Sequence, residues 1–230
     1  MPLTCGRPIL GNDSNTLLLL HLDGTNGGTS FSDSSSNART ITNVGSTTTS
    51  STQSMFGGTS GSFNGSSQCL SIPNSADWNI SGDFTLEAWV YVTSMATNCA
   101  IIDRTGSTYY SLNYFITTAG KLRLNSSPDG SSNTTIDSTG TVSLNTWTHV
   151  AAVRSGSTIT HYIGGTASGT GTFGSTYYNN ATELDIGARA NGGVGRDSFF
   201  NGYIDELRIS KIARWTANFP PPNMQYTSGA

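Results

Sequence analysis

The sequence predicts an all-β fold, with two antiparallel sheets packed as one sandwich. Three observations carry this. Short runs rich in β-branched and aromatic residues recur at roughly ten-residue spacing, separated by Gly, Ser, Asn and Thr. The clearest run, DFTLEAWVYV (83–92), alternates strictly: Phe84, Leu86, Ala88, Val90 and Val92 on one face, Thr85, Glu87, Trp89 and Tyr91 on the other. Charged residues make up only 11% of a chain with 27 glycines, so solubility rests on residues that favour turns and strand edges over helices.

In chain order, residues 1–15 show no periodicity and read as an N-terminal arm. TLLLLHLD (16–23) is a continuous apolar strand, expected to be buried on both faces. Residues 24–60 carry only short apolar islands, at Ile41, Val44 and Met55-Phe56, which implies long loops and weak edge strands. Strands follow at 61–65, 68–73, 83–92, 98–103, 109–116 and 121–125. WTHVAAVR (147–154) turns through SGS into TITHYIGG (158–165) as a hairpin, and ELDIGA (183–188) is a further strand. KIARW (211–215) reads as about one helical turn. No linker divides residues 16–219, so the expected organisation is an arm (1–15), one domain (16–222) and a C-terminal tail (223–230).

Charge and cysteine usage exclude several classes. The net charge is −3 and the only lysines are Lys121 and Lys211, which argues against nucleic acid or an anionic membrane as partner. No apolar run approaches membrane-spanning length, and none has the form of a signal peptide. Three cysteines give no disulfide framework; Cys69 and Cys99 are either one bridge or two buried thiols.

The last long strand, FFNGYIDELRIS (199–210), poses a question. Simple alternation puts Asp205 on one face with Tyr203, Leu207 and Ile209, and a buried charge is costly unless paired, hydrogen-bonded or metal-bound. On the other face Glu206 and Arg208 are two residues apart, the spacing of a surface ion pair.

The order of LLLLHLDGTNGGTSFSDSSSN, FGGTSGSFNGSSQCLSIPNSADW, GDFTLEAWVYV, NTWTHVAAVRSG and FFNGYIDELRISKIARWTANFPPP resembles laminin-G-like, concanavalin A-like jelly-roll domains, over about residues 16–222. Members of this broad family occur in pentraxins, lectins, adhesins and tailed-phage structural proteins. The resemblance implies a jelly roll with one concave and one convex sheet. It also implies a structural calcium, held at the positions matching Asp205, Asp23 and the backbone of Gly65. The alternatives for Asp205 are hydrogen bonds from backbone N–H groups of the first strand or its turn, or a different facing of the strand.

Some relatives hydrolyse glycosides, which usually requires paired carboxylates; retaining enzymes of this fold carry a Glu-x-Asp-x-x-Glu strand motif. Glu87, Glu183 and Glu206 are the only glutamates and none lies in that pattern. His21, His149 and His161 lack a neighbouring nucleophile motif and read as packed residues. The expected protein is therefore not an enzyme. Trp78, Trp147 and Trp215 fall within the recurring motifs and read as packing residues.

Binding needs exposed groups on a rigid scaffold, and saccharides are gripped by aromatic faces with amides and charges around them. The residues expected to bind are Trp89 and Tyr91, which could line the concave face, Tyr109, Tyr177, Tyr178 and Asn180, and Arg189 and Arg196 in the glycine-rich loop 187–198. The expected function is a non-enzymatic, lectin-like module that binds cell-surface glycan, displayed on a phage virion through the arm, or otherwise extracellular. The alternative is a capsid decoration or fibre protein, held among other virion proteins or as a homo-oligomer.

Overall fold

The computed structural model describes residues 11–106, 110–174, 178–191 and 195–228. Its strands are β1 (Thr16–Leu20), β2 (Thr42–Val44), β3 (Thr48–Ser50), β4 (Ser60–Asn64), β5 (Cys69–Ile72), β6 (Phe84–Val92), β7 (Cys99–Thr105), β8 (Tyr110–Ile116), β9 (Leu122–Ser126), β10 (Thr134–Asp137), β11 (Thr148–Ser155), β12 (Thr158–Ile163), β13 (Thr166–Thr172), β14 (Leu184–Ile186), β15 (Arg189–Ala190), β16 (Arg196–Asp197) and β17 (Asn201–Ser210). They form an eight-stranded sheet in the order β13-β12-β11-β6-β17-β4-β3, with β1 also on β17, and a seven-stranded sheet in the order β10-β9-β8-β7-β14-β5-β2. The pairings within both sheets are antiparallel, as the sequence predicts for a jelly-roll sandwich. The short β15–β16 hairpin pairs with a strand of neither sheet.

The core sits between the sheets. Leu18 and Leu20 of β1, Phe84, Leu86, Ala88, Val90 and Val92 of β6, and Leu70 and Ile72 of β5 are all completely buried there. The alternation read in β6 is the one observed, and β1 is buried throughout. Cys69 and Cys99 are buried free thiols, not a bridge, and Cys5 lies outside the described residues.

Strand β17 departs from simple alternation. Along β6 it pairs Ile204 with Val90 and Asp205 with Trp89, then slips, so that Arg208 faces Glu87 and Ile209 faces Leu86. Glu206 takes a φ of 48° at the slip, a conformation rare for a non-glycine residue. The extra residue is a β-bulge, and it changes which face each side chain meets. Ile204, Leu207 and Ile209 point into the core, whereas Tyr203 and Asp205 share the outer face with Tyr91 and Trp89. The grouping of Asp205 with Leu207 and Ile209 is thus corrected. The bulge sits where β17 changes partner on its other side, from β4 (Asn201–Ile204) to β1 (Leu207–Ser210).

The expected Glu206–Arg208 surface pair is also corrected. Glu206, 1% exposed, accepts from Tyr226 N at 2.7 Å and sits 2.6 Å from His21 Nδ1. Arg208, fully buried, pairs with Glu87 at 2.6 Å, and its guanidinium lies 3.9 Å from the Tyr226 ring centre.

Residues 211–215 form no helix; the short 3-10 turn falls instead at Ala76–Trp78, capped by Ser75. Residues 211–222 lie over the outer face of the eight-stranded sheet. There Trp215 stacks on Phe219 at 3.8 Å and donates its Nε1–H to Glu87 at 2.7 Å. Trp78 and Trp215 are buried packing residues, as expected, and Trp147 is half-buried.

Candidate functional site

The outer face of the seven-stranded sheet carries a polar row. Thr42 pairs with Ser71, Ser71 with Asp185, Asp185 with Asp103, Asp103 with Asn113, Asn113 with Asn125, and Asn125 with Thr135. Direct cross-strand partners share a face, so these seven residues line one path across all seven strands. Their neighbours along the strands, such as Ile72, Leu184, Ile186, Leu112 and Tyr114, point into the core.

Asp103 is the centre of the row. Its Oδ1 accepts from Thr105 Oγ1 at 2.6 Å and Asn113 Nδ2 at 2.7 Å, and its Oδ2 from the backbone N of Thr105 and of Ala190, each at 3.0 Å. Complete burial pushes this carboxyl up to about 7 despite the four donors. The bond from Ala190 ties the β15–β16 hairpin down onto the sheet.

Two loop segments wall the row. Segment 178–183 is held by Arg104, whose guanidinium donates to Asn179 Oδ1 at 2.7 Å, Asn74 Oδ1 at 2.9 Å and the Thr182 carbonyl at 3.4 Å. Asn180 adds a bond to the Arg104 carbonyl at 3.2 Å and accepts from Thr182 Oγ1 at 2.9 Å. The hairpin is pinned by Arg189, paired with Asp197 at 2.5 and 2.7 Å, and by Arg196, bonded to buried Asp185 at 2.6 and 3.1 Å and also to Glu183. Between these walls opens one cavity of about 430 Å³, lined by Thr105, Gly106, Ala181, Thr182, Ala190 and Arg196 among others, and against β2 and β5 lies another of about 460 Å³, lined by Thr42, Ser71, Asn74, Glu183 and Arg196 among others. Of the polar row only Thr42 and Ser71 line a cavity, while Asp103 and Asp185 are completely buried and act by holding the walls in place; the walls present hydroxyls, an amide and one ion pair, an arrangement suited to hydrogen-bonding a polar, uncharged or acidic ligand.

The structure brings Tyr178, Asn180, Arg189 and Arg196 to this side of the molecule. Tyr178 is 38% exposed, Asn180 is buried with its amide used internally, and the two arginines are half-buried. Tyr109 and Tyr177 lie outside the described residues. Trp89 and Tyr91 are not with this group: they belong to the outer face of the eight-stranded sheet. There Trp89 is buried against Phe56 and His149, while Tyr91, half-exposed, packs with Trp147 and Tyr203 at 5.7 and 5.9 Å. Sequence reading missed Asp103, Asn113 and Asp185 in the floor and Glu183 in the wall. The available signal was a polar residue next to core aliphatic or aromatic ones in each run: Asp103 in NCAIID, Asn113 in YYSLNYFI and Asp185 in ELDIGA.

Asp205, on the opposite sheet, takes backbone N–H groups of Met55 and Phe56 on Oδ2, at 2.9 and 3.1 Å. The donors come from the loop after β3, not from the first strand or its turn. Burial raises its carboxyl to about 7, and Glu206 and Asp23 add to the shift. Asp23 accepts from Gln225 Nε2 and is also raised by burial. Asp205 Oδ1 and Asp23 Oδ1 are both buried without a hydrogen-bond partner among the described residues. In this respect the two acids fit a hard cation. Gly65 does not join them: it lies at the turn after β4, against Asn201, four residues along β17 from Asp205. No group of three or more His, Cys, Asp or Glu among the described residues is arranged to hold a metal, so an ion here would draw most of its oxygens from backbone and water.

The fold and the walled polar face together define a β-sandwich with two neighbouring cavities on the outer face of one sheet. Residues 64–217 match the laminin G type model of the concanavalin A-like lectin/glucanases superfamily, and the chain belongs to that superfamily. No curated protein matches the sequence. Among solved structures it is similar to the binding domain of Paraclostridial Mosquitocidal Protein 1, with a TM-score of 0.67 at 13% identity, covering 86% of this chain and 49% of that one. It is also similar to a botulinum neurotoxin type C structure described as interacting with two ganglioside molecules, with a TM-score of 0.65 at 12% identity, covering 86% and 48%. A third is the binding domain of botulinum neurotoxin DC in complex with SialylT, with a TM-score of 0.63 at 12% identity, again covering 86% and 48%. The chain spans about half the length of each, and at these identities the likeness is one of fold.

Proposed function

We propose that this protein is a non-enzymatic, lectin-like module whose glycan site is the groove on the outer face of the seven-stranded sheet. The observation that carries this is the pair of open cavities walled by segment 178–183 and the β15–β16 hairpin, which buried Asp103, Arg104 and Asp185 pin to the sheet. Superfamily membership supports it, as do solved neighbours described with ganglioside or SialylT. A structural calcium held by Asp23 and Asp205 would neutralise a half-buried and a buried carboxylate and fix loop 51–58 through Met55 and Phe56; the unpartnered Oδ1 atoms support that part.

Display on a virion, with the N-terminal arm as attachment to other virion proteins, is the wider setting we propose, supported by the sequence resemblance to phage structural proteins. A purely structural role in a particle is the second reading. It is favoured by the half-exposed patch of Tyr91, Trp147 and Tyr203, which an assembly contact would cover. A glycan array of the purified protein, with calcium and with EDTA, tests the first reading. Saturable binding to a defined glycan supports it, and absence of binding by folded protein in both conditions shifts the assignment to the structural role.

A further inference from the structure

Glu183 and Arg196 wall both cavities of the groove at once. Their ion pair therefore borders two spaces, of about 430 and 460 Å³. Two carboxylates hold Arg196, and they are unequal. Asp185 is 1% exposed and engages both Nε and a terminal nitrogen. Glu183 is 48% exposed and touches only that same terminal nitrogen. Asp185 fixes the position of the guanidinium, and burial raises the cost of its leaving. The Glu183 contact is an exposed pair of the kind that contributes little, and another carboxylate can displace it at small cost. No described residue bonds the remaining terminal nitrogen, so a planar edge of donors is available once Glu183 swings away.

We infer that Glu183 occupies the place of a ligand's acidic group, and that the groove selects glycans bearing a carboxylate, of the uronic or sialic acid kind. The ligand carboxylate takes over the Arg196 edge, and Glu183 turns to solvent. This rests on the glycan-binding reading and adds the ligand class and its determinant.

The test compares wild type with Glu183→Gln, an exposed and therefore fold-tolerant substitution. The probes are two matched pairs: sialyllactose with lactose, and an oligogalacturonate with its carboxyl-reduced form. The expected result is that the acidic member of at least one pair binds about tenfold or more tighter than its neutral partner. Glu183→Gln should then strengthen acidic binding several-fold and widen the acidic over neutral preference, while Arg196→Gln, checked for folding by its melting curve, should abolish that preference. Equal binding of acidic and neutral members, or weaker acidic binding in Glu183→Gln, overturns this inference and leaves the lectin reading standing. Failure of folded wild type to bind these pairs or any glycan of a broad array overturns both.

Discussion

Asp185 on β14 holds Arg196 on β16 by two hydrogen bonds, at 2.6 and 3.1 Å, and this pair joins the floor of the groove to its wall. The hydrogen bond to Asp185, helped by the charge of that carboxylate and opposed by burial, raises the Arg196 pKa above its ordinary value. Asp185→Asn should release the β15–β16 hairpin, with a loss of about 1–3 kcal/mol of stability. Faster amide exchange at Ala190 and Asn191 while the core strands stay protected would check it; uniform protection would contradict it.

The buried pair of Glu87 and Arg208 should be the most sensitive electrostatic contact in the domain. Burial acts to raise the Glu87 carboxyl, but the Arg208 charge, with help from His149 and Trp215, holds it below its ordinary value. Its stabilisation is therefore present above the unfolded value near 4.5 and is lost as pH falls through the folded one. Arg208→Ala leaves a buried carboxylate without its cation and should cost about 3–5 kcal/mol in urea denaturation. A loss below about 1 kcal/mol would show that the pair is not closed in solution.

Asp205 gives the opposite pH dependence in metal-free protein. Its carboxyl is raised from 3.8 to about 7, so its contribution is fully present below pH 4 and is lost as pH rises through about 7. The raised Asp23 and His21 act in the same direction. In EDTA the melting temperature should fall between pH 4.5 and 7.5, and Asp205→Asn should flatten that slope. If calcium bridges Asp23 and Asp205, adding it at pH 7.5 should raise the melting temperature of wild type but not of Asp205→Ala. Equal effects on both proteins would remove the ion from this site.

Gly202 opens β17 at a φ of 140°, and a Cβ there would lie 2.1 Å from the Tyr91 carbonyl oxygen. Gly202→Ala should therefore cost about 2–3 kcal/mol or prevent folding. A melting temperature equal to wild type would mean that the β6–β17 ladder relaxes at no cost.

The parts legible in the sequence were those written in apolar periodicity. The alternation in 84–92 located the core face of β6, and the unbroken Leu17–Leu20 run located a strand buried on both sides. Strand β13, TASGTGT, has no such pattern because it is an edge strand with few core contacts. The bulge at Glu206 was hidden because no glycine marks its positive φ, and a one-residue slip turned Asp205 outward. For the same reason of periodicity, Trp89 and Tyr91 were correctly read as sharing a face, but alternation does not say which sheet that face belongs to. Arg189 and Arg196 were found as loop charges, whereas Asp103 and Asp185 become part of the site only once strands far apart in sequence are paired.

The proposed glycan site is the groove on the outer face of the seven-stranded sheet. The most direct measurement is calorimetric titration of the strongest array glycan into wild type and into Ala181→Trp, which places a ring in the 430 Å³ cavity from an exposed position. Saturable binding by wild type and at least a tenfold loss in the variant, with the melting temperature unchanged, are expected. Undiminished affinity in Ala181→Trp would place the glycan elsewhere on the protein and contradict the claim.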